Sequence, residues 1–182
     1  MASYRNNLPK AGGVAIKSIQ RGVLTFTNQT QLTAALSQVV TANCVIRIWV
    51  NTVDLNSLTS CKTMLVNYSL SQSSLTLSRA LADGVALNVQ WEVLEYESGI
   101  SIQRGVTNLQ YGSATVTISA IDTARSQVVM NVGSVAGTTT TARGSTSEAM
   151  PYLTSFTGTS FTAKNSSGVG PTNLQWQVVT HE

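Results

Sequence analysis

The hexapeptide Ser18-Ile19-Gln20-Arg21-Gly22-Val23 recurs unchanged as Ser101-Ile102-Gln103-Arg104-Gly105-Val106, 83 positions further along the chain. Six consecutive identities in so short a sequence mark an internal duplication, so both copies must be able to adopt one fold. A second pair of anchors closes the copies. Val89-Gln90-Trp91-Glu92-Val93 answers Leu174-Gln175-Trp176-Gln177-Val178 at a displacement of 85. Between these anchors Thr41-Ala42 lines up with Thr123-Ala124, and Leu75-Thr76 resembles Phe161-Thr162. The expected organisation is an N-terminal arm over 1–12, a first unit over 13–97 and a second over 98–182. The joint is short: Glu95, Tyr96 and Glu97 end one unit and Gly99 opens the next, with no Pro- or Gly-rich tether. The two units are therefore expected to hold a fixed relation.

Within each unit the residues follow the two-residue period of strands. Ala114-Thr115-Val116-Thr117-Ile118-Ser119 alternates apolar and polar, as a sheet with one wet face should. Val85, Leu87, Val89, Trp91 and Val93 point one way, and Ala86, Asn88, Gln90 and Glu92 the other, which puts Trp91 and its counterpart Trp176 in the core. The apolar run from Cys44 through Arg47-Ile48-Trp49-Val50 reads as a strand inside a sandwich core. Gln31 to Gln38 has a helix-like look, but its counterpart, Ser113 to Ser119, reads as a strand, and the repeat decides for strand. Six strands are expected per unit: near 14–27, 31–37, 43–53, 61–69, 73–80 and 85–96, then 99–109, 113–119, 126–135, 145–156, 159–164 and 172–181. The predicted fold is all-β, two tandem antiparallel β-sandwich domains.

The skin of such a protein must be covered without much charge. Only 10% of the residues are charged while 42% are hydrophobic, and Thr, Ser, Asn and Gln supply the remaining polarity. This composition fits a particle-borne or extracellular β protein, or a subunit covered in an assembly. Units of some 85 residues bury a modest core, which adds to the expectation of a homo-oligomer. The net charge of +3 comes from singly spread basic residues, so no nucleic-acid surface is expected. No apolar run is long enough for a membrane helix, and no membrane insertion is expected. The start, Met1 to Lys10, lacks the apolar stretch of a secretory signal. Cys44 and Cys61 both fall in the first unit, leaving two readings: free buried thiols, or a bridge added to the fold.

Residues able to do chemistry are sparse. The only histidine, His181, lies beside the C-terminus, and Asp54, Asp83 and Asp122 sit next to turns, where Asp caps its own backbone. Glu92, Glu95, Glu97 and Glu148 read as solvating groups. No catalytic, metal or cofactor site is expected, and the chain does not read as an enzyme. The most specific polar feature is the repeated signature itself: Gln20, Arg21, Gly22 and Trp91, matched by Gln103, Arg104, Gly105 and Trp176. Its duplication points to a structural need. Gly22 and Gly105 would allow a bulge or a close backbone approach, and the arginines would lie across an aromatic face or cap carbonyls at a sheet edge. Partner contact is the other reading of the signature. Arg143, Tyr152 and Phe156, near the Gly/Thr/Ser-rich stretch from Val132 to Ser155, are further candidates for contact.

The opening Ser-Ile-Gln-Arg-Gly-Val, the Thr/Val-alternating segment, the Thr-Ala turn and the closing Gln-Trp strand resemble modules of bacteriophage virion proteins. Such modules occur in tail fibres, tail-tip adhesins and capsid decoration or head-fibre proteins. The resemblance covers nearly the whole chain after residue 13. It implies location in a virion, contacts with copies of itself and with other virion proteins, and neither cofactor nor catalytic residues. It does not choose between capsid, neck, tail and fibre. The six strands ending on a Trp-containing strand are also similar to the sandwich of invertebrate H-type lectins, which assemble as trimers and bind sugars between subunits. That second likeness keeps receptor or glycan binding as the alternative function.

Overall fold

A computed structural model describes residues 14–52, 64–82, 84, 86–109, 112–134, 151–165 and 172–182. The described chain is all-β, with twelve strands in two groups of six. The first group is β1 (Ala15–Phe26), β2 (Gln31–Ala35), β3 (Cys44–Thr52), β4 (Val66–Leu70), β5 (Ser74–Arg79) and β6 (Leu87–Ser98). The second is β7 (Ile100–Leu109), β8 (Ser113–Thr117), β9 (Ser126–Ser134), β10 (Tyr152–Phe156), β11 (Ser160–Lys164) and β12 (Thr172–His181). Each group makes two stacked three-stranded antiparallel sheets with the same order: β1-β6-β3 and β2-β5-β4, then β7-β12-β9 and β8-β11-β10. The last strand of each group is thus central in its sheet, and the architecture is sandwich-like twice over.

The repeated residues fall at equivalent places in the two ladders. Gly22 faces Trp91 and Gly105 faces Trp176 across neighbouring strands. The Thr-Ala pairs form short 3-10 turns, Thr41–Asn43 and Thr123–Arg125, each leading straight into a strand. In the second turn the Asp122 carboxylate accepts the Ala124 N–H at 2.9 Å, the capping role expected of a turn aspartate. The window from Gln31 to Gln38 is strand as far as Ala35, paired residue for residue with β5. The expected strands over 61–69 and 145–156 begin later, at Val66 and Tyr152, with 61–63 and 145–150 outside the described residues.

Each group has its own core between its sheets. Phe26, Leu75, Leu77, Leu87, Val89, Trp91 and Val93 form the first, and Leu109, Phe161, Leu174, Trp176 and Val178 the second. Phe161 meets the Trp176 ring edge-on at 5.4 Å between centroids. A third apolar cluster, Val45, Leu94, Tyr96 and Val179 with Ile100, Ile102 and Val129 against it, joins the two groups. Gly99, alone between β6 and β7, takes φ +79, a conformation open to glycine that turns the chain sharply here.

The apolar run of β3 serves two surfaces instead of one. Ile46, Ile48 and Val50 turn to the core, Val45 enters the cluster between the groups, and Trp49 lies half exposed on the outer face at 51%. The run is apolar on both sides because another surface covers part of its outer side.

Candidate protein interface

The signature residues use their side chains as substitutes for backbone. Gln20 donates from Nε2 to the Ser37 carbonyl at 3.0 Å and accepts the Ser37 N–H at 2.8 Å. Gln103 does the same to Ser119, at 3.0 and 2.6 Å. Each glutamine thereby ties the first strand of its unit to the segment after the second. Beneath them the glycines allow a close approach. A Cβ on Gly22 would lie 2.7 Å from Trp91 Cζ2, and one on Gly105 would lie 2.7 Å from Trp176 Cε2. The register runs through both glycines without a bulge.

The two indoles differ in one bond. Trp176 Nε1 donates to Thr107 Oγ1 at 3.2 Å, whereas Trp91 Nε1 is buried and finds no partner among the described residues. Leu24, one residue beyond Val23 as Thr107 is beyond Val106, takes the place of that hydroxyl.

The arginines part company as well. Arg21 pairs with Glu92 at 3.1 Å, and Arg47 approaches the same carboxylate at 3.5 Å. Arg104 instead reaches into the first unit, where its Nη2 donates to the Cys44 carbonyl and, at 3.5 Å, to that of Ala42. Burial there draws its guanidinium below the usual arginine range.

Arg104 belongs to a larger contact. The outer face of the β7-β12-β9 sheet lies against the open edge of the first unit, formed by β3 and β4. Gln177, only 1% exposed, accepts the Ile46 N–H at 3.1 Å and donates to the Ile46 carbonyl at 2.7 Å. Gln175 repeats the device at Tyr68, with both bonds at 2.9 Å. Asn131 Nδ2 donates to the Val66 carbonyl at 2.7 Å, and the Asn67 side chain lies against bare Gly133. An edge strand presents unpaired N–H and C=O groups to any passing strand. Here two primary amides, each with donor and acceptor side by side, replace the missing strand. Burial in this contact also pushes the Tyr68 hydroxyl up to about 12.

Two glutamates expected at the surface are tied down. Glu95 is buried and accepts from Lys17 Nζ at 2.9 Å, Ser18 Oγ at 3.1 Å and the Val40 N–H at 2.9 Å. The Val40 N–H and then Lys17 hold its carboxyl below the usual carboxylate range. Glu92 is largely covered between its two arginines, because both carboxylates stand on the central strand of a sheet and not at its rim. Cys44 is a free, buried thiol donating to the Val40 carbonyl at 3.3 Å, and burial, then the Glu95 charge, pushes it up to about 11. Cys61 lies outside the described residues.

Of the three further contact candidates, Tyr152 is 49% exposed, Phe156 packs against the second core, and Arg143 lies outside the described residues. His181, beside the C-terminus, is held in β12 and paired with Ile100. It lines a shallow open depression with Ser101, Asp122 and Arg125. Among the described residues no three His, Cys, Asp or Glu side chains gather as metal ligands, and no helix is long and apolar enough to cross a membrane. The glutamine-mediated docking had a sequence signal, since the closing strand of the second unit puts Gln175 and Gln177 on its outer side. Compared with known proteins, the chain matches no family model, no curated protein and no solved structure.

Proposed function

We propose that the chain is a structural, non-enzymatic component of a bacteriophage virion, acting through protein contacts made by its duplicated units. The observation that carries this reading is the docking of the β7-β12-β9 face on the β3/β4 edge. There buried glutamines are committed to satisfying another unit's backbone. A sheet face built in this way is a joint between units. The assignment to a virion draws on the likeness of the repeated Ser-Ile-Gln-Arg-Gly-Val to phage modules. Quantitative mass spectrometry of purified particles tests it. A fixed, stoichiometric copy number is expected, and consistent absence from particles would overturn the reading.

A second reading, recognition of a host-surface glycan, is favoured by one feature. Trp49 presents half its indole on the outer sheet face opposite Gln90, two residues from Arg47 and its partner Glu92. Aromatic faces flanked by polar side chains suit sugar rings. Glycan-array binding that disappears on Trp49→Ala would support this role, and an array without signal would remove it.

A further inference from the structure

The joint between the units is heterologous: a sheet face of one meets a sandwich edge of the other. A chain with two such units satisfies one face and one edge internally. One face and one edge remain. The leftover face is the part of the outer side of β1-β6-β3 away from the buried Val45, Leu94 and Tyr96, where Ile19 is 43% exposed and Trp49 51%. The leftover edge is formed by β9 and β10, which among the described residues pair only with β12 and β11. The accessibility of the two copies shows the asymmetry directly. β4 begins buried and stays mostly covered, whereas the equivalent β10 is exposed over four of its five residues, Tyr152 and Leu153 among them.

We propose that these two leftover halves dock to each other between copies of the chain, so that the protein assembles head to tail. The proposal rests on the reading of the chain as an assembly module and names the partner of its free surfaces: a second copy. Continuity with the internal joint supports it position by position. Gln90 stands where Gln175 stands, and Leu153, opposite Ala163, stands where Tyr68 stands opposite Leu77. Arg21 occupies the place of Arg104, and docking would bring it to the carbonyls of Ala124 and Ser126 of a second copy, the counterparts of Ala42 and Cys44. Glu92 replaces Gln177. Its carboxylate would accept the Val128 N–H, and Arg47 beside it would donate to the Val128 carbonyl, a task Gln177 performs alone at Ile46. Exposed apolar side chains on each half, among them Ile19 and Trp49 on one and Tyr152 and Leu153 on the other, supply area to bury.

Three exchanges make the outer joint a variant of the inner one. Asn51 stands in place of Gly133, Tyr152 in place of Asn67, and β10 carries an irregularity between Leu153 and Ser155. The docking angle therefore differs between the inner and outer joints. A face-to-edge contact closes into a ring where the rotation allows and otherwise continues as a filament.

Sedimentation velocity across a concentration series, with two surface variants, tests the proposal. The unaltered chain is expected to sediment as assemblies larger than one chain. Trp49→Glu spoils the face and keeps the edge; Leu153→Glu spoils the edge and keeps the face. Each alone is expected to be a monomer with an unchanged thermal melt, and an equimolar mixture to form a one-to-one dimer and nothing larger. As a check independent of those variants, a Gln90→Cys/Leu153→Cys chain should form a 90–153 disulfide between copies. A chain monomeric at every concentration, a mixture that stays monomeric, or self-association untouched by both substitutions would overturn the proposal. So would a face that binds a glycan while the chain remains a monomer. A monomeric chain found at fixed copy number in particles would sink this inference and leave the virion reading intact. An assembling chain absent from particles would do the reverse.

Discussion

Substituting Gly22 by Ala sets two effects of opposite sign against each other. Glycine inside a strand costs roughly 0.5–1 kcal/mol relative to alanine, so an open site would gain stability from the change. At this site the added methyl would lie 2.7 Å from Trp91 Cζ2 and 2.9 Å from Cε2. Carbon atoms in contact prefer about 3.5–4.0 Å, so the indole must withdraw by about 1 Å. It has little room, since it packs within the first core beside Val89 and Val93. Overpacking of this kind costs about 1–3 kcal/mol. The net expectation is a loss of about 1–2 kcal/mol, which for a chain of this size lowers the melting temperature by roughly 2–4 °C per kcal/mol. Calorimetry or urea unfolding reads the change. Combining it with Trp91→Phe, which removes the atoms in the way, should give a double variant more stable than the sum of the two single losses. A Gly22→Ala chain more stable than the parent by the intrinsic 0.5–1 kcal/mol would refute the close-packed account of the repeated Gly–Trp pair.

Removing the hydroxyl in Thr107→Val orphans the Trp176 indole N–H and should cost about 1–2 kcal/mol in urea unfolding. Because the Glu95 carboxyl is held below its usual range, its contribution to stability is present above that range and is lost as pH falls through it. Melting temperatures recorded from about pH 5 to 3 should therefore fall less steeply in Glu95→Gln than in the parent chain. The Cys44 thiol, pushed up to about 11, should resist thiol reagents at neutral pH in a Cys61→Ser chain and react on unfolding. Since its proton is held more tightly in the folded state, stability should also decline as pH rises from the ordinary thiol range toward that value.

The duplication made much of this fold readable. Two copies of one pattern settle doubtful segments jointly, as they did for Gln31 to Ala35, and strict alternation fixes which side of β6 carries Trp91. The contact between the units was harder to read because it uses polar side chains in place of apolar ones. Gln175 and Gln177 look like ordinary outward residues until an edge strand is placed against them. Trp49 was legible in principle. Period-two counting from Ile46 and Ile48 puts it outward, but an uninterrupted apolar run invites assignment to the core. Glu95 was masked by its type, since a carboxylate near the end of a strand is usually solvated. Its burial follows from partners far away in sequence, Lys17 and Val40, which pattern alone does not bring together. Arg104 and Arg21 occupy identical local sequences yet bind different groups, because within the chain the other unit covers Arg104 and not Arg21.

The central claim is that one unit's sheet face supplies the hydrogen-bond partners of another unit's open edge. Amide hydrogen exchange at Ile46 and Tyr68, resolved by NMR, tests it most directly, since both N–H groups point away from their own ladders and donate only to Gln177 and Gln175. The account predicts that both are strongly protected, that Gln177→Ala lowers protection at Ile46 and Gln175→Ala at Tyr68 by at least about tenfold, and that Val93, in the neighbouring strand, is unchanged. Exchange of both amides in the unaltered chain at the rate of a free, solvent-exposed strand edge would contradict it.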